Sequence, residues 1–278
     1  MVWWKLRMSF RNGSTLFFIL VVLAQRVFAQ VPNTPDFWVL TNPEAPFVVQ
    51  DDKRQLSGML VDVVNGVLSE ANIKQQILAA PWERVEREAR VKSNVLVFAL
   101  ARTPERENYY HWITPLTANV FAVYGHSATK DHYQHLDELK NISSIAVLNN
   151  DVRHKILLNA KMTNIRPYES WQEAVDSVVN GQSEAIFLSD AGMQFFCEKS
   201  TNNCKELKRV FMYERMFSYL VLSKAETDEQ LADRLKSAAL RFKHSEEFTQ
   251  LTRHWLKQYE ELPIPMHMED GVLNLWQQ

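Results

Sequence analysis

The feature that most constrains this chain is an alternation of short apolar runs with helical stretches, and it occurs twice. FWVLTN (37–42) reads as a strand. MLVDVVNGVLSEA (59–71) carries apolar residues at helical spacing. QQILAA (75–80) is a second strand, PWERVEREARV (81–91) a charged helix with Pro81 near its start, and NVLVFAL (94–100) a buried strand. This β-α-β-α-β order predicts a parallel α/β sheet. The order returns with SSIAVL (143–148), DVRHKILLNA (151–160), NIRPY (164–168), SWQEAVDSVVNG (170–181) and EAIFL (184–188). A further strand near Val210 and two helices over 228–243 and 245–259 follow. The last 19 residues, with Pro263 and Pro265, read as a loose tail.

An apolar segment, Thr117–Gly125, separates the two repeats of this order, and a second, Phe217–Lys224, follows the second repeat. If both are crossover strands, the chain leaves one lobe, builds a second and returns. The expected division is lobe one at 30–121 plus 222–278 and lobe two at 122–221. Paired crossovers make a hinge, and hinged proteins hold small molecules between their lobes.

The first 29 residues read as an export leader. Lys5, Arg7 and Arg11 precede the nine-residue apolar run Leu16–Ala24, and Val27-Phe28-Ala29 resembles a cleavage site. The run is shorter than the roughly 20 residues that span a bilayer. Removing this piece takes away four cations and no acid, which moves the formal charge from −2 to −6. An exported chain without a basic surface does not recruit nucleic acid. In an oxidising compartment, Cys197 and Cys204, seven positions apart in CEKSTNNC, read as a local disulfide. A metal site is the poorer reading, because no second ligand pair follows. There is no Gly-rich phosphate loop, no G-x-S-x-G elbow and no H-E-x-x-H, so neither a cofactor nor a catalytic set is expected. His132 and His135 read as surface residues.

The most specific stretch is ALARTPERENYYHWITPL (99–116). It resembles the family 3 extracellular solute-binding proteins, the polar amino-acid-binding components of bacterial ABC importers, whose motif G-x-T-x-T-x-x-R often ends in T-P-E-R. Thr103-Pro104-Glu105-Arg106 matches that ending. The resemblance implies a two-lobed α/β type-II periplasmic-binding fold, a monomer that hands its solute to a membrane permease, and a ligand carboxylate held by Arg106. A guanidinium fork suits a carboxylate on its own physics. Thr103 would add a hydroxyl. Ala101 replaces a threonine and leaves only its backbone N–H. Arg102 is an additional cation, either solvated or a second anion contact.

The resemblance extends over most of the chain. Residues 41–47 match the first ligand loop, placing Glu44 and Phe47 at the ligand, with Glu44 standing where an aromatic is usual. Gly58 and Asp62 match a structural entry to the first helix. Pro81-Trp82-x-Arg84 implies that Trp82 walls the cleft, where an aromatic face attracts cationic groups; a core position is the alternative. Residues 147–153 match a strand-to-helix loop whose N–H groups, at Asn150 and Asp151, complete the carboxylate site; Asp151 as an ordinary N-cap is the other reading. Arg153 reads as solvated, with a place facing the cleft as the alternative. In Glu184–Asp190 the family acid that takes a ligand ammonium falls at Ser189 by count, with Asp190 one residue beyond. A dehydratase acting on prephenate or arogenate, with Glu44, Glu173 or Asp190 as its acid, and a ligand-binding sensor are the rival functions.

Overall fold

A computed structural model describes residues 37–126, 129, 132–199, 204–262 and 264–276. The expected leader lies outside the described residues. The chain first forms β1 (Trp38–Thr41), β2 (Val49–Gln50), β3 (Leu56–Ser57), α1 (Met59–Glu70), β4 (Ile77–Ala79), α2 (Trp82–Val91) and β5 (Val95–Ala101). A 3-10 turn at Pro104–Arg106 leads into the long β6 (Tyr110–His126). Next come β7 (Ile145–Leu148), α3 (Val152–Asn159), β8 (Ile165–Tyr168), α4 (Trp171–Val179), β9 (Ala185–Ser189) and α5 (Asp190–Lys199). The long β10 (Leu207–Ser223), α6 (Glu229–Lys243), α7 (Glu246–Gln258), β11 (His267–Glu269) and β12 (Val272–Leu275) complete the order.

One sheet runs β4-β1-β5-β10-β6-β9-β7-β8. The outer three strands on each side are parallel to one another. Between them, β6 and β10 are antiparallel and 17 residues long, so each serves both ends of the sheet. β5 pairs with the Ser218–Leu222 stretch of β10, and β9 with the Phe121–Gly125 stretch of β6. The expected crossover segments therefore lie inside these two strands or at their ends. Their mutual ladder changes register at four places, one of them between Ser218 and Tyr219.

The near-continuous apolar runs follow from burial on both faces, as parallel strands require. In β5, Leu96 and Phe98 join the core around α1, while Val95 and Val97 pack with α2 residues Val85 and Ala89. In β7 and β9, Ile145, Val147, Ala185 and Phe187 face one core, and Ala146, Leu148, Ile186 and Leu188 the other. Gly58 sets the entrance to α1: its φ is +118°, and a Cβ there would lie 2.3 Å from the Phe47 carbonyl oxygen. That close approach holds the Glu44–Phe47 loop against the helix start.

The expected loose tail is instead a β-hairpin. Asp270 and Gly271 both take positive φ, which a two-residue hairpin turn demands and which Asp-Gly favours. β12 then pairs in parallel with β6, Leu273 opposite Thr117 and Leu275 opposite Asn119, with Leu273 and Leu275 buried. The prolines obscured the short strands beyond them. Cys197 and Cys204 are joined as a disulfide, their Cα atoms 5.5 Å apart. Among the described residues, no helix is long and apolar enough to cross a membrane.

Candidate functional site

The two ends of the sheet face one another across a narrow cavity. Asn42, Glu44, Phe47, Trp82, Ala101 and Arg106 line it from the first part of the chain, and Leu148, Asp151, Arg153 and Trp171 from the second. Asn119, Phe121, Phe217 and Ser218 on the long strands, with Leu275 of β12, complete the wall. Thr117 and Ser218 join β6 to β10 there by a hydroxyl–hydroxyl hydrogen bond of 2.7 Å. The cavity volume is about 60 Å³, far below the roughly 300–1,000 Å³ of pockets that bury a drug-sized molecule.

Arg106 is only 2% exposed. Its Nη1 donates to the Ala101 carbonyl at 2.9 Å, and its guanidinium lies 5.4 Å from the Trp82 ring centre. Nη2 is 3.6 Å from Glu86 and has no hydrogen-bond partner. Glu86, buried on α2, also meets Arg90 at 2.8 Å and Lys155 of α3 across the cleft. Burial opposes its ionisation, but Arg106, Lys155 and Arg90 together hold its carboxyl below the usual range.

Arg153, expected in solvent, is equally buried at 2%. It stands at the start of α3 because Asp151 caps that helix, accepting from the Arg153 backbone N–H at 2.9 Å. The same carboxylate takes Nε at 2.6 Å and Nη2 at 3.0 Å. The guanidinium lies 4.5 Å from the Phe121 ring and 4.3 Å from the Trp171 ring. Glu44 reaches it at 3.9 Å from the other side of the cleft. Nη1 is buried without a partner. Burial works against the charge on Asp151, yet Arg153 leaves that carboxyl below its ordinary value. Burial dominates at Glu44 and raises its carboxyl, although 35% of its side-chain surface remains open.

The structure brings Glu44, Phe47, Trp82, Ala101, Arg106 and Asp151 to one cavity, and leaves four of the expected residues outside it. Thr103 sits behind the turn; Glu105's own backbone N–H and then the Thr103 hydroxyl hold the Glu105 carboxyl low. Asn150 turns away, its N–H donating to His154 Nδ1 at 3.1 Å. Ser189 is buried at the end of β9, where its Oγ accepts from Gly192 N–H at 3.2 Å. Asp190 accepts from the Tyr124 hydroxyl at 2.6 Å and from Arg209 at 2.9 Å. The register of β9 on β6, Ser189 opposite Phe121, points the acid away from the cleft. Arg102 is bound by Glu107 through two hydrogen bonds of 2.7 and 3.1 Å.

Phe121 and Trp171 escaped the sequence reading, and Arg153 was placed in solvent ahead of the cleft. Trp171 follows the Ser170 N-cap as Trp82 follows Pro81, so each helix opens on a tryptophan. That shared placement was the available signal. Among the described residues, no group of three or more His, Cys, Asp or Glu side chains could hold a metal ion.

The chain is 25% identical over 175 residues, 62% of its length and 67% of the relative's, to the arginine-binding periplasmic protein of Mannheimia haemolytica. Among solved structures it is similar to a histidine kinase sensor domain that itself resembles periplasmic binding proteins (TM-score 0.67, 11% identity, 79% of this chain and 96% of that one). It is also similar to a mutant of ArgBP from T. maritima (TM-score 0.66, 14% identity, 80% and 95%). These likenesses establish the type-II periplasmic-binding fold. The model of the bacterial extracellular solute-binding proteins, family 3, matches residues 38–258, and the chain belongs to that family.

Proposed function

We propose that this protein is a periplasmic solute receptor for an ABC importer, capturing an amino acid or closely related carboxylate. The observation that carries the reading is Arg106: it is buried, lies 5.4 Å from the Trp82 ring centre, keeps Nη2 without a hydrogen-bond partner, and lines a cavity walled by both ends of the sheet. A buried donor left unmade costs about 1–3 kcal/mol, which a ligand carboxylate recovers. The mature chain begins after residue 29 and acts as a monomer docking on a membrane permease.

The solute first meets lobe one, 30–121 plus 222–278, through Arg106 and Trp82. Lobe two, 122–221, then swings on β6 and β10, whose register shifts supply the bend. Closure forms the contacts of Glu86 with Lys155 and of Glu44 with Arg153, which link the lobes. Differential affinity for the closed state drives the motion. With Asp190 engaged by Tyr124 and Arg209, a ligand ammonium group falls to Glu44. The role is capture without turnover, so neither prephenate nor arogenate is consumed.

A thermal-shift screen of residues 30–278 against amino acids and carboxylic acids tests this. A ligand that binds the folded state raises the midpoint by mass action. The expected result is a rise with one chemical class that is lost in Arg106→Ala. A rise unchanged by that substitution, or no rise with any carboxylate, overturns the reading.

A further inference from the structure

The cavity's second guanidinium indicates which carboxylates it takes. We propose that Arg153 fills the slot a cationic ligand side chain would occupy and presents a second anion anchor, making this a site for dicarboxylic acids, acidic amino acids included, that rejects arginine and lysine. The inference rests on the capture reading above and deepens it.

Phe121 and Trp171 flank a guanidinium at 4.5 and 4.3 Å, and Asp151 grips it through two nitrogens. Two rings and a carboxylate are the groups that would bind a free guanidinium. Here the chain supplies its own, so an arginine side chain would have to expel Arg153 and break a buried ion pair.

The unsatisfied atoms point the same way. Among the described residues that line the cavity, those with a buried side-chain atom lacking a hydrogen-bond partner are Trp82 (Nε1), Arg106 (Nη2, 3.6 Å from Glu86) and Arg153 (Nη1). All three are donors, so the complementary molecule is rich in acceptors. Two lie on one side of the cleft and one on the other, so a molecule with an acceptor group at each end draws the sides together. The linked charges are uneven: Arg90, Arg106, Arg153 and Lys155 stand against Glu44, Glu86 and Asp151. An anion with two carboxylates leaves room for Glu44 to meet an amino group or to stay protonated.

Calorimetric titration of residues 30–278 with L-glutamate, L-aspartate, succinate, L-arginine and L-lysine tests this in the wild type, Arg153→Met and Arg153→Ala, each checked for fold by circular dichroism. Wild type is expected to bind a dicarboxylate at least about tenfold more tightly than either basic amino acid. Arg153→Met keeps the slot filled but removes the donor, and should lose about tenfold in dicarboxylate affinity without gaining arginine. Arg153→Ala empties the slot and should gain L-arginine binding. If Arg153→Ala does not fold, the wild-type preference and the Met variant decide. A wild type that prefers arginine or lysine overturns the proposal, as does dicarboxylate affinity unchanged in Arg153→Met. An amino acid bound through Arg106 but indifferent to Arg153 overturns it while leaving capture standing. A folded wild type that binds no carboxylate overturns both.

Discussion

Each side of the cleft sets a tryptophan in the first turn of a helix and an arginine on its ring: Trp82 with Arg106, and Trp171 with Arg153. The two pairs differ in how the charge is held. Arg106 leans on a carbonyl and stands 3.6 Å from a carboxylate that has two closer cationic partners. Arg153 is gripped through two nitrogens by a carboxylate two residues away and flanked by a second ring. A loosely paired guanidinium keeps its donors for an incoming group. A tightly paired one is a fixture: it shapes the site by the space it takes and keeps only Nη1 without a hydrogen-bond partner.

The largest expected effect breaks the tight pair. Asp151→Ala strands a buried guanidinium and should cost about 3–5 kcal/mol of stability in urea unfolding. Arg106→Ala should cost less, because Glu86 keeps Arg90 and Lys155; equal losses would erase the distinction. Binding should show the reverse emphasis. Arg106→Ala should weaken capture by about 3 kcal/mol, roughly a hundredfold, in calorimetry. The strand that contributes Leu275 to the cavity wall comes next. Leu275→Ala removes a 2%-exposed side chain from the cavity wall and should lower stability by about 2–3 kcal/mol.

The smallest effect concerns a cation buried with no such pairing. Lys243 donates to the Pro115 carbonyl, and burial alone lowers its pKa from 10.5 to about 8. Between those values the unfolded chain holds a proton the folded one has released. Stability should therefore rise with pH across that window, and the gain is lost as pH falls through about 8. The rise should reach about 1–2 kcal/mol relative to Lys243→Met, read from urea midpoints at pH 7 and pH 10. A flat difference would show that the ammonium reaches water.

The sequence disclosed most of the architecture because its strands are buried on both faces and its helices carry one apolar face. Val95–Leu100 and Ala185–Leu188 are legible for that reason. Arg106 was legible through Thr103-Pro104-Glu105-Arg106, a local motif. Arg153 was not, since nothing local separates a buried arginine from a solvated one. Its burial depends on Phe121 and Trp171, remote in sequence. The Asp190 position was missed because a strand end does not reveal which way the next side chain turns; Tyr124 and Arg209 decide that. The tail was misread because two prolines outweighed the Asp-Gly turn behind them.

β12 also has a consequence for the order of assembly. Leu273 pairs with Thr117, so β12 seals a wall begun by β6 far earlier in the chain. Contacts so distant along the chain close late, after shorter-range ones have formed. The cavity therefore acquires its last side, at Leu275, only once the chain is available through β12. A chain made only as far as α7 holds both arginines but not yet the strand that encloses the cavity beside them.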